Sequence, residues 1–220
     1  GFFQIENRSF RPVIIFESMG ENMDLAYKWG MQLAKKYPDR HQRAEKIFYF
    51  VRDHVRYTND VDQFGLEEFA QNADELAFAL TNSSFAMGDC EDMAMLLAVM
   101  YKGAGYRSAL VLVPGHVATL IYLPDYRKAN VFLNFKGEDG WIWAEATGKR
   151  NPLGWFPEEF RNEPRIAYEI GYEPITVKTP PQNAEPAMIN KGGTTTPIHI
   201  SPFFLILIFM FLLSMLRRRY

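Results

Sequence analysis

A change of texture at Gly103 and Gly105 divides this chain and limits what it can fold into. Upstream, residues 21–37 and 41–56 carry apolar side chains at helical spacing. Met23, Ala26, Tyr27, Gly30 and Leu33 form one stripe, and Ala44, Ile47, Phe48, Val51 and Val55 the other, with Pro38-Asp39 between them. A third helix is predicted from Asp89 to Tyr101, with Met93, Leu96, Leu97 and Met100 on one side, and the two glycines stop it. Downstream, residues 108–114, 117–123, 129–135 and 141–146 are short and rich in Val, Leu, Ile, Phe and Trp. They are separated by Pro114-Gly115, Pro124-Asp125 and the turn-forming run of residues 138–140, so they read as antiparallel strands. Helices first and strands afterwards indicate an α+β fold rather than alternating βαβ units.

Composition narrows the function. With 24 Lys and Arg against 26 Asp and Glu, the net charge of −2 excludes a general nucleic-acid binder. The 48% hydrophobic and 15% aromatic content suits a domain with its own core. The single cysteine, Cys90, rules out an intramolecular disulfide and a cysteine-rich zinc cluster, and a thiol redox or metal-storage protein would want a second cysteine.

Cys90 follows Gly88-Asp89 in the first turn of the third helix, where backbone N–H groups and the positive end of the dipole favour a thiolate. A thiol nucleophile also needs a base, and near neutral pH that is histidine. His41 and His54 lie on the upstream helices and His199 near the C-terminus, whereas His116 follows Pro114-Gly115 at the head of a predicted strand. Glu145 sits among aromatics in Trp141-Ile-Trp-Ala-Glu-Ala-Thr147, where a carboxylate is costly without a partner. The three give nucleophile, general base and orienting acid in chain order.

The strings GDCEDMAMLLAVMYKGAGYRSALV, GHVATLIYL and WIWAEATG, with Val51-Arg-Asp-His-Val-Arg-Tyr57 upstream, resemble the transglutaminase-like superfamily over about residues 44–148. The resemblance implies a papain-like α+β core in which the cysteine helix packs on an antiparallel sheet bearing the histidine and the acid. It assigns Cys90 as nucleophile, His116 as base and Glu145 as acid, although the family more often has Asp at the position of Glu145 and Pro at that of Ala146. The oxyanion donors expected are the Cys90 backbone N–H and the Tyr57 hydroxyl. The GDCED string is also similar to that of bacterial transglutaminase-like cysteine proteinases, in which acids beside the cysteine help to bind calcium. That implies Asp89 and Glu91 as calcium ligands, against the weightier alternative in which Asp89 caps the helix and Asp92 serves its dipole; no cofactor is required for the chemistry itself.

Residues 179–197 shift to Pro, Thr, Asn and Gly and read as an extended tether. Residues 198–216 are a predominantly apolar run of 19, about 28 Å long as a helix, closed by Arg217, Arg218 and Arg219 within the basic tail 217–220. Lacking a polar face, the run reads as a transmembrane helix, with a buried core helix or a cleaved sorting signal as alternatives. The arginines place the tail in the cytoplasm and residues 1–178, the catalytic-looking domain, on the other side. A chain that begins at Gly1 fits a leader already removed. The expectation is a membrane-anchored, extracytoplasmic cysteine protease or amidase that acts on a protein or peptide. The alternative is a non-catalytic scaffold docked beside other membrane proteins.

Overall fold

The computed structural model describes residues 24–67, 69–171 and 185–190. The expected transmembrane run and basic tail lie outside these residues, and among the described residues no helix is long and apolar enough to cross a membrane.

Helix α1 (Asp24–Lys36) and helix α2 (Arg40–His54) form where the periodicity places them, and Pro38 separates them. The Asp39 carboxylate caps α2 by accepting from the Gln42 N–H at 2.7 Å. Ala44, Ile47, Phe48 and Val51 are its buried face. The helix runs directly into β1 (Val55–Tyr57), which pairs in parallel with β2 (Ala86–Gly88), Tyr57 opposite Gly88. Between these strands lie α3 (Asp60–Phe64) and α4 (Ala73–Asn82), neither of which the periodicity predicts. Asn72 and Glu75 close a capping box on α4.

Helix α5 (Cys90–Gly103) is the axle of the domain, with every residue from Glu91 to Lys102 buried. It is apolar nearly all round because helices cover one side and strands the other. It meets α1 through glycines: a Cβ on Gly30 would stand 2.0 Å from the Met100 carbonyl oxygen, and one on Gly103 would stand 2.1 Å from that of Tyr27. On the opposite side Thr119 Oγ1 donates to the Ala94 carbonyl and Ser108 Oγ to that of Ala98, both at 2.7 Å. These bonds satisfy two fully buried hydroxyls and pin the stripe Cys90, Ala94, Ala98 against the strands.

The strands form more than the expected sheet. β3 (Ser108–Val113), β4 (His116–Tyr122), β6 (Glu138–Ala144), β5 (Leu133–Phe135), β8 (Glu185–Ile189) and β7 (Ile166–Glu169) close in that order into an antiparallel barrel. Strict alternation sorts the side chains. Val111, Val113, Leu120, Phe135, Trp141 and Trp143 fill the interior, while Leu110, Leu112, Val117, Ile121 and Ile142 face the helices.

Two expectations are corrected. The turn before β6 is Lys136-Gly137, both at positive φ (56° and 74°), so residues 138–140 belong to the strand. Within the expected tether, Glu185–Ile189 is instead β8, paired with both β5 and β7. The barrel needs that strand to close: Ala187 enters its interior and Ile189 packs against it.

Candidate active site

The stripe that presents Ala94 to Thr119 also presents Cys90, one turn earlier, to the head of β4. There the Val117 backbone N–H is directed at the sulfur and favours its anion. His116, next in the chain, has the phase of Ala118 and Leu120 and stands at the rim of the barrel. Its ring stacks on Phe160, centroids 5.4 Å apart and planes 12° apart. Glu145 follows β6 in the phase of Trp141 and Trp143, so the same rim receives it, and Thr119 pairs with Ala144 across the two strands.

Glu145 is 5% exposed and finds its partners locally. Its Oε2 hydrogen-bonds His116 Nε2, and its Oε1 accepts from the Thr147 N–H at 3.1 Å and the Thr147 hydroxyl at 2.5 Å. The longer side chain therefore spans to the imidazole, and Thr147 does the anchoring. With Nε2 engaged by Glu145, Nδ1 is the second ring nitrogen of His116.

The thiol itself differs from the expectation. Burial pushes Cys90 far above the ordinary thiol range, the carboxylates of Glu91 and Asp89 push it further, and the Val117 N–H only partly opposes them. Cys90 Sγ donates to Glu91 Oε2 at 3.1 Å, a contact that favours the thiol over the thiolate. A helix start that favours an anion is here outweighed first by burial and then by the acids carried on the same first turn.

Those acids form a cluster of their own. Asp92 accepts from the Gln71 N–H at 2.7 Å, from Gln71 Nε2 at 2.8 Å and from the Asp89 N–H at 3.3 Å. Burial nevertheless pushes it up to about 7. Asp89 is the N-cap residue, and burial beside Glu91 raises its carboxyl as well. Asp60 joins from α3, a residue that no local motif marks; its Oδ2 accepts from the Phe69 N–H, and burial raises it too. One ligand atom from each of Asp60, Asp89 and Asp92 lies within 4.8 Å of the others, as does one from each of Asp89, Cys90 and Glu91. Asp60 Oδ1, Asp89 Oδ1 and Glu91 Oε1 are buried without a hydrogen-bond partner. An all-oxygen set with orphaned acceptors fits a hard divalent cation such as calcium, beyond the Asp89 and Glu91 pair expected from sequence.

Tyr57 reaches this region from β1. Its hydroxyl is pushed up to about 12 by partial burial, then by the neighbouring acidic groups Cys90, Asp89, Glu91 and Glu145, so it stays a neutral donor. Cys90 opens α5, and its N–H belongs to the helix-start donors that lack an intrahelical acceptor. The fold thus gathers Cys90, His116, Glu145, Tyr57, Asp89 and Glu91 into one neighbourhood. It adds Asp60, Thr147 and Phe160, of which only Thr147, two residues from the acid, had a local signal.

No individual curated protein matches this sequence significantly. A family model described as the transglutaminase-like superfamily matches residues 28–159, more than half of the chain, from α1 through the segment that carries Phe160's neighbours. The helix bearing Cys90 and the rim bearing His116 and Glu145 both fall inside that match, and the chain belongs to the transglutaminase-like superfamily.

Proposed function

We propose that the protein is a cysteine hydrolase that cleaves a peptide or protein amide through Cys90, His116 and Glu145. The observation that carries this reading is the pairing of the half-buried His116 imidazole with the buried Glu145 carboxylate, braced by Thr147, at the strand head that touches the chain's one thiol. A scaffold has no physical need for that trio.

In the reaction, Cys90 turns from Glu91 and passes its proton to His116 Nδ1. The thiolate attacks the carbonyl carbon, and the oxyanion takes hydrogen bonds from the Cys90 N–H and the Tyr57 hydroxyl. Collapse breaks the C–N bond, and the amine leaves with the imidazolium proton. Water, deprotonated by His116, then attacks the thioester; the acid departs and the thiol is restored. Glu145 holds the imidazole and balances its charge throughout. An amine in place of water would make the same site an acyltransferase.

Calcium is proposed as a bound ion, held by Asp89 with Glu91 or with Asp60 and Asp92. Bound there, it would neutralise the acids that, together with burial, hold the Cys90 thiol up. A thermal shift on adding calcium chloride, lost in Asp60→Asn and Asp89→Asn, supports the site; the same shift in all three proteins removes it. The sequence pattern supports anchoring by residues 198–216, with the arginines cytoplasmic and the domain on the far side. Detergent dependence of the full chain set against a chain ending at Asn190 tests that anchor.

The protonated thiol on Glu91 is the observation that favours the second reading, a non-catalytic member of a membrane assembly. The pH dependence of Cys90 alkylation, followed by mass spectrometry on the wild type and His116→Ala, separates the two. Slower alkylation at neutral pH in His116→Ala supports the hydrolase. Identical profiles at every pH mean that the imidazole does not serve the thiol, and they favour the scaffold. Glu145→Gln should lower turnover and leave a residue of it; unchanged turnover removes Glu145 from the mechanism.

A further inference from the structure

Acidic side chains crowd the immediate surroundings of Cys90, whereas the space next to it is lined by cations. A cleft of roughly 580 Å³ lies between the end of α2 with β1 and the loop that follows Glu145; Arg52, Arg56, Tyr57, Thr147 and Lys149 line it, together with Asp53. Two of its walls are parts of the site already described. Tyr57 lies within electrostatic reach of Cys90 and Glu145, and Thr147 is hydrogen-bonded to Glu145. The cleft therefore opens beside the reacting centre, where residues flanking the bond to be cleaved must lie.

Its charge is unbalanced. Asp53 is taken by Arg52, Nε to Oδ1 at 2.8 Å, and Arg52 also stacks on Tyr49 at 4.4 Å and reaches the Asn151 carbonyl. The other two cations have no such counterion among the described residues. Arg56 is exposed, with its guanidinium 3.5 Å from the Phe85 ring centroid, which fixes the plane of the group and leaves its N–H edge free to donate. Lys149 is exposed and enters no ion pair among the described residues. Together with the neutral Tyr57 hydroxyl, this is a donor-rich pocket whose one acid is already used.

We propose that this cleft is a specificity subsite that takes a carboxylate of the peptide substrate, held between Arg56 and Lys149. The proposal rests on the hydrolase reading. The cluster of acids at Cys90 has no cation to offer a substrate carboxylate, whereas the cleft does, so a bound peptide places its carboxylate away from Asp89 and Glu91 and over Arg56 and Lys149.

The test measures binding without turnover. The full chain carrying Cys90→Ala is titrated by fluorescence anisotropy with labelled, N-acetylated tetrapeptides. One set bears Glu at each position in turn with an amidated C-terminus, one carries Gln instead, and one carries Gln with a free C-terminal carboxylate. The expected result is about tenfold tighter binding of a Glu peptide than of its Gln counterpart, reduced by added salt and abolished in Arg56→Gln/Lys149→Gln. Lys149→Glu should reverse the preference toward Lys peptides while keeping the melting temperature. Preference for the free C-terminus alone assigns the site to a chain end instead of a side chain and still supports a carboxylate subsite. Equal affinity for all three sets, no binding of any of them, or a preference that survives the double substitution overturns the subsite. The alkylation profile of Cys90 is read on separate protein, so failure here and failure of the hydrolase reading are distinguishable.

Discussion

The barrel interior and the first turn of α5 are both buried, yet they are filled with opposite materials. Inside the barrel, Trp141, Trp143, Phe135 and Phe156 pack edge to face with centroids 5.0–5.1 Å apart, and Trp141 and Trp143 bury their indole N–H groups without partners. At the helix start, Asp60, Asp89, Glu91 and Asp92 are packed together, none more than 8% exposed. The first region gains from leaving water and the second is penalised for it. The contrast shows where the molecule stores stability and where it carries strain that chemistry can use: His116 and Glu145 stand where the two regions meet, at the barrel's rim.

The contrast breaks most severely if the barrel is opened. A chain ending at Lys178 lacks β8 and should lose its cooperative thermal transition, whereas one ending at Asn190 keeps it; equal melting of the two by circular dichroism would show that closure adds nothing. Next in size, Trp143→Ala should cost about 3–5 kcal/mol in urea unfolding. Cys90→Ala, on the acidic side, should change stability by about 1 kcal/mol or less while removing all activity. A comparable loss in both would end the distinction between a supporting and a working region.

The acidic region has its own signature in pH. Asp92, ordinarily near 3.8, is raised to about 7 by burial, so between those values the folded state binds more protons than the unfolded one. Stability must then fall as pH rises through that window, the reverse of a salt-bridged carboxylate. Urea unfolding in chelator from pH 4 to 7 should show the decline, and Asp92→Asn should flatten it; a rise with pH would mean that the cluster is not held protonated. The smallest effect expected is in Glu91→Gln, which removes one charge facing the thiol and should move Cys90 alkylation toward lower pH. An unmoved profile would show that burial alone holds the thiol up.

Much of this was legible in the residues. The stripe of α2, the start of α5 and the alternation in β3, β4 and β6 are written locally, and the Gly-Asp-Cys, Gly-His and Trp-Ala-Glu strings mark the site. What escaped is relational. β8 contains Pro186 and Glu185 in a Pro-rich surround, and only its pairing with β5 and β7 makes it a strand. Asp60 has no motif, and its part in the acidic cluster depends on where α3 packs. The protonated thiol could not be read from a helix start because its burial and its facing acids are three-dimensional facts. α5 also qualifies the argument from a missing polar face, since within one domain it meets that description through burial on all sides.

The paired glycines of α1 and α5 work at a distance. Gly30 and Gly103 let the two backbones interlock like a tongue and groove, so α5 cannot slide along α1 without driving a carbonyl into a Cα. That joint lies at the C-terminal end of a helix of 14 residues, about 20 Å from Cys90. The sulfur's position is therefore indexed from the back of the domain, and two residues with no side chain at all act as the gauge that sets it.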